Sequence, residues 1–172
     1  GDTDLGRAGR WLAERGIDPR DLLVAIGLAI VAFLVYSLVN NDRPAKLDYF
    51  VPLADAFLHG RLGLLEEPAS GGYNELVAAN GLLYVVYPPM PAVVLVPFVA
   101  VFGPGMDQAR VSILFGALNV ALAWWVALGL GTRRSTAFVL AVVFGFGSIT
   151  WYSAQAGTAW HFAHVLSLTF AL

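Results

Sequence analysis

Cysteine is absent from all 172 residues. That excludes a disulfide framework, a thiolate metal site and a catalytic thiol, and it leaves the redox compartment unread. Charge is scarce too. Asp, Glu, Lys and Arg make up 13% of the chain, about half of the roughly 25% found in soluble domains. The formal net charge of −2 offers no cationic footprint for a polyanion, so nucleic acid is set aside as a partner. Walker-type phosphate loops, nucleophile elbows and HExxH zinc motifs do not occur, and no internal repeat is visible. What remains is apolar: 58% of the residues are hydrophobic and the mean hydropathy is +0.70.

Three stretches, Leu22–Val39, Val111–Leu130 and Ser135–Tyr152, are long and nearly uncharged. Each approaches the roughly 20 residues a helix needs to cross the hydrocarbon core. A fourth begins near Trp160 and is still apolar at Leu172, which reads as an N-terminal piece of a longer chain. The first run starts after a polar leader of about 20 residues and ends at VNNDRPAK, unlike a signal peptide. The expectation is an all-α, polytopic transmembrane bundle in a lipid bilayer, with spans at 22–39, 110–131 and 135–152 and a fourth starting at 160.

Residues 1–21 place Leu5, Ala8, Trp11 and Leu12 on one helical face, with Arg7, Arg10 and Arg15 around the rest. This reads either as an amphipathic surface helix or as a solvated leader, ended by Asp18-Pro19. Orientation follows Lys and Arg. The leader and the Arg133-Arg134 pair are assigned to the cytoplasm, and residues 40–109 to the outside. An even number of crossings must then separate the two basic clusters. The run from Pro88 to Phe102, punctuated by Pro91 and Pro97, is accordingly read as a short helix along the outer leaflet. Its rival is a true span beginning at Leu82.

The outer loop carries a second helical signature, at about 48–59. Phe50, Leu53, Ala54, Phe57 and Leu58 form a stripe at helical spacing, and Gly60 is the terminator. Residues 63–80 read as a flexible acidic connector. Asp48 opens the helix, where it is either an N-cap or a base activated near a low-dielectric boundary. Asp55 is either solvated or a partner for Arg61 or His59. Tyr84, Tyr87 and Pro88-Pro89 suit a headgroup layer and a stiff turn. His161 and His164, three apart, are interfacial histidines or a weak metal pair. Asn119 in mid-span suggests an interhelical hydrogen bond, and Gly145 and Gly147 suggest close packing or a kink.

Ordered along the chain, LDYFVPLADAFLHGRL, NGLLYVVYPPMPAVV and VFGPGMDQARVSILFGALNVALAWWVALGLGTRR resemble segments of the GT-C membrane glycosyltransferases. The likeness is to dolichyl-phosphate-mannose protein mannosyltransferases and aminoarabinose-transferase-like bacterial relatives, whose corresponding patterns are DE..Y...A, NG..Y...PP and a basic-ended helix. The resemblance spans most of residues 22–172. It implies two juxtamembrane helices in the first extracytoplasmic loop and a sugar donor carried on a polyprenyl phosphate. It also implies transfer with inversion to an acceptor hydroxyl on an unidentified glycan, lipid or protein. Asp48 would be the base and Asp55 its reserve. Lys46, Arg61 and Arg110 would contact phosphate, with Tyr49, Tyr84, Tyr87, Pro88 and Pro89 completing the substrate site. The chain departs from the pattern in three places: LD replaces DE, Tyr87 stands where several relatives have lysine, and His161 and His164 stand where many have an acid. A divalent metal is left open. The competing reading is a non-catalytic polytopic protein, a transporter or lipid-handling scaffold, whose mark would be an inverted repeat further along the chain.

Overall fold

The computed structural model describes residues 18–40, 47–67 and 75–172. Of the helix or leader expected at 1–21, residues 1–17 lie outside the described residues, as does Lys46, and 19–21 belong to the first long helix.

Helix α1, Pro19–Asn40, begins where the sequence supplies a cap and a proline suited to the first turn. Asp18 Oδ1 accepts from the Arg20 N–H at 2.9 Å. Across the bundle lies α4, Gln108–Gly129, capped by Asp107, whose Oδ1 accepts from the Ala109 N–H at 2.9 Å. Both helices have 22 residues, a length of about 33 Å. They are long and apolar enough to cross a membrane. Helix α4 is the hub: α1, α5 (Arg134–Phe146), α6 (Thr150–Ala156) and α7 (Ala159–Ala171) all pack on it. Small residues let the backbones close in. A Cβ placed on Gly116 would sit 2.4 Å from the Ala154 Cβ. Polar glue sits in the same interface, where Asn119 Nδ2 donates to the Val165 carbonyl at 2.9 Å and Asn119 Oδ1 accepts from Thr169 Oγ1 at 2.7 Å.

The expectation of one unbroken span over 135–152 is corrected. The helix breaks after Phe146 and resumes as α6, bent by 44°. The cause is packing on α1 and α4. A Cβ on Gly145 would lie 2.7 Å from Val120 Cγ2, and the buried Tyr36 hydroxyl donates to the Gly145 carbonyl at 2.6 Å. At the break, Ser148 Oγ donates to the Phe144 carbonyl at 2.5 Å and accepts from the Thr150 N–H at 3.2 Å. One hydroxyl thus serves backbone groups that the break would otherwise leave unpaired.

A second correction concerns 63–80 and the all-helical class. The chain is mostly helical, but Leu76–Ala79 (β1) and Leu82–Val85 (β2) form an antiparallel hairpin. Asn80 and Gly81 both have positive φ, 51° and 76°, the pattern of a two-residue type I′ turn. Leu64 adds a bridge to Leu83 through paired 2.8 Å hydrogen bonds. The hairpin sits beside α2, Phe50–Leu58, and α3, Met90–Phe102, which pack on each other. Their apolar cluster includes Phe50, Leu53, Leu95 and Val99, and it extends to Phe162 of α7.

Helix α3 has 13 residues, about 20 Å, against a core of about 30 Å. The far end of the bundle says the same. Arg134, at the start of α5, grips Asp21 with Nε–Oδ1 at 2.7 Å and Nη2–Oδ2 at 2.9 Å, and reaches Asp18 Oδ2 at 2.6 Å. The starts of α1 and α5 therefore share one end, with α1 and α4 running between. In this cysteine-free chain, Gly105→Cys and Ser135→Cys are expected to react with an impermeant thiol reagent from opposite faces of sealed vesicles. Labelling of both from one face would contradict the two-crossing arrangement.

Candidate active site at the Asn40 end

The carboxylates and cations singled out in the sequence lie in three segments, and the turn between α6 and α7 joins two of them. Gly157 has φ of +53°, and a Cβ there would meet the Ala109 Cα at 2.5 Å. Only glycine allows so close an approach in that conformation. Gln108, fully buried, donates through Nε2 to the Gly157 carbonyl at 2.6 Å. Two residues on, the Ala159 N–H donates to the Leu47 carbonyl at 3.1 Å. The first turn of α4, which bears Arg110, and the loop bearing Asp48 are thus both fastened to one short turn. Asn40, at the end of α1, joins the group by donating to the Gln155 carbonyl at 2.9 Å.

Leu47 adopts φ of +56°, a conformation that costs an L-residue about 1–2 kcal/mol and persists only when surroundings enforce it. Asp48 follows, half-buried. The capping position falls on Tyr49, whose side chain makes no capping bond. Asp48 takes part in the first turn through its backbone, accepting from the Val51 N–H at 3.1 Å. Asp55 lies further along α2 with His59, whose Nδ1 is 3.7 Å from Asp55 Oδ2 and 2.9 Å from the Asp55 carbonyl. Arg61 follows the left-handed Gly60 (φ 71°); its Nε is buried without a hydrogen-bond partner among the described residues.

Arg110 is exposed at the first turn of α4 and borders two clefts. The larger, about 540 Å3, has apolar walls from Phe33, Phe98, Phe102 and Leu114, with Asp107 and Arg110 at its polar edge. The smaller, about 230 Å3, adds Ser37 and Asn40. His161 and His164 face a different cleft of about 560 Å3, shared with Thr150 and Ser153 beside the α5–α6 break. His161 Nδ1 is 2.7 Å from Thr158 Oγ1. Among the described residues no group of three or more His, Cys, Asp or Glu gathers there or elsewhere. Two imidazoles fall short of a closed metal site.

The residues of the NG..Y...PP segment fall in three different settings. Pro88 and Pro89 are exposed, and Pro89 leads into α3. Tyr84 pairs with Val77 inside the hairpin. Tyr87 is the centre of an aromatic cluster. Its ring lies 5.6 Å from Tyr49, 6.2 Å from Phe50 and 6.1 Å from Trp160, the last nearly perpendicular at 86°. Its hydroxyl donates to Glu75 Oε2. Glu75 and Trp160 belong to no motif read from the sequence; the Asn80-Gly81 hairpin signal, followed back to its first strand, locates Glu75. Comparison with protein-family models, with curated proteins and with solved structures finds no match to this chain.

Tyr87 is pushed up to about 12, by burial first and then by the neighbouring Glu75 carboxylate. Tyr49 is raised for the same reasons, burial first. Neutral phenol is therefore favoured in the folded chain. The Tyr87 contribution to stability is complete below the ordinary tyrosine value of about 10 and is lost as pH rises through about 12. Phenolate absorbance should show a tyrosine titrating near that value, absent in Tyr87→Phe and moved down in Glu75→Gln. An unmoved titration in Glu75→Gln would refute the pairing.

Proposed function

We propose that this chain belongs to a membrane glycosyltransferase that moves a sugar from a polyprenyl-phosphate donor to an acceptor hydroxyl, with inversion, at its Asn40 end. The Lys and Arg distribution assigns that end to the extracytoplasmic face. The observation that carries the reading is that the Asp48 loop and the Arg110 turn both fasten to the one short segment Gly157–Ala159. A base and a phosphate-binding cation are thereby held around one short segment. Beside Arg110, the cleft walled by Phe33, Phe98 and Phe102 suits an isoprenoid tail, whose burial contributes about 0.8 kcal/mol per methylene.

The chemistry needs few groups. The acceptor oxygen forms a bond to the anomeric carbon as the bond from that carbon to the phosphate oxygen breaks. The acceptor proton passes to the Asp48 carboxylate, and the electron pair leaves with the phosphate, stable as an anion beside Arg110. No strong general acid is required. Asp55, engaged with His59 on the same helix, is the reserve carboxylate. One observation favours the rival, a transporter or lipid-handling scaffold. Broken helices such as α5–α6, lined here by hydroxyls and histidines, mark binding sites in transporters.

Replacing Asp48 by Asn should lower sugar transfer from a polyprenyl-phosphate sugar in membranes by about 100-fold or more, the usual scale for loss of a general base. Membrane insertion should be unchanged. Full transfer by Asp48→Asn removes the assignment, and transfer that fails in every variant while solute flux persists favours the rival.

A further inference from the structure

We infer that Trp160, Tyr87 and Glu75, backed by the buried Tyr49, form a saccharide-binding site, and that the acceptor is a carbohydrate. The second half rests on the transfer reading above; the first half stands without it.

The cluster assembles from three distant parts of the chain. Glu75 stands just before the hairpin, Tyr87 just after it, Tyr49 at the start of α2 and Trp160 in the first turn of α7. The Tyr87 hydroxyl fixes the Glu75 carboxylate. Tyr49, 1% exposed, and Phe50, fully buried, back the Tyr87 ring. Trp160 meets Tyr87 at 86° and keeps 40% of its surface open. The result is one accessible indole and one hydrogen-bonded carboxylate, both held on Tyr87.

A pyranose presents the matching surfaces: an apolar face of C–H groups for an aromatic ring, and a rim of hydroxyls for a carboxylate that accepts. Other occupants fit less well. An anion, including a phospholipid or donor phosphate, is repelled by Glu75, and Arg110 is the group suited to it. An organic cation wants a cage of several aromatic faces, whereas Tyr49 is closed off. A headgroup-level anchor requires aromatic rings but no ordered carboxylate.

The position follows from backbone contacts. Asp48 lies between Leu47, hydrogen-bonded to Ala159, and Tyr49, packed on Tyr87. Ala159 immediately precedes Trp160. A sugar resting on the indole is therefore a neighbour of the proposed base, and its hydroxyls supply the nucleophile.

The test is saturation-transfer NMR on the protein in nanodiscs, using methyl α-mannopyranoside, methyl α-glucopyranoside and mannotriose, with choline as a separate arm. At least one saccharide should receive saturation on its ring protons. Affinity should fall about tenfold in Trp160→Ala, the scale of one aromatic contact, and survive in Trp160→Phe. Glu75→Gln, which preserves the aromatic packing, should weaken binding as well, guarding against misfolding of the alanine variant. No transfer to any saccharide, binding indifferent to both Trp160→Ala and Glu75→Gln, or a response to choline instead would overturn the site. Saccharide binding without Asp48-dependent transfer would overturn the catalytic reading alone. Asp48-dependent transfer without saccharide binding would overturn this inference alone.

Discussion

The hydrogen bond from the Ala159 amide to the Leu47 carbonyl, 3.1 Å long, is the constraint on which the candidate site depends. It holds a left-handed leucine in place and decides which way the chain enters α2. In the same turn, Gly157 lies against Ala109 so closely that a side chain would collide with backbone. Remove either contact and Asp48 and Arg110 lose their common reference. Neither contact involves a chemically reactive side chain. The geometry of the site is thus set by main-chain packing in a turn that carries none of the proposed chemistry.

That turn is itself positioned by the bundle. Helix α4 packs on α1, α5, α6 and α7, and two of its interior amides, Asn119 and Gln108, fix α7 and the α6–α7 turn. In a low-dielectric interior such bonds specify register, because shifting a helix by one residue would leave each donor unpaired. The break between α5 and α6 belongs to the same design. Tyr36 and Val120 crowd Gly145, the helix bends, and the short α6 can approach Asn40 and Gly116. At the opposite end Arg134 closes the structure on Asp18 and Asp21.

Much of this was legible in the residues, and the rest was not for identifiable reasons. Long apolar runs announce helices by composition alone, and the prolines around Met90 mark a short helix start. The hairpin leaves little local signature because its strands are brief and one partner, Leu64, is remote in sequence. The break after Phe146 has no proline. Its cause is a side chain 109 residues away, beyond any local pattern. Arg133-Arg134 was read for its charge, which is a compositional signal; the acidic partners of Arg134 are a tertiary one. Glu75 and Trp160 carry no spacing that marks a site until Tyr87 brings them together.

The most direct measurement exploits the missing cysteines. Backbones joined by one hydrogen bond place Cα atoms within about 5–6 Å, inside disulfide range. The pair Leu47→Cys and Ala159→Cys should therefore cross-link in membranes under mild oxidation, while Leu47→Cys with Ser135→Cys, at the other end of the bundle, should not. Rapid disulfide formation in the first pair alone is the predicted result. No cross-link there, or equal rates in both, would contradict the account.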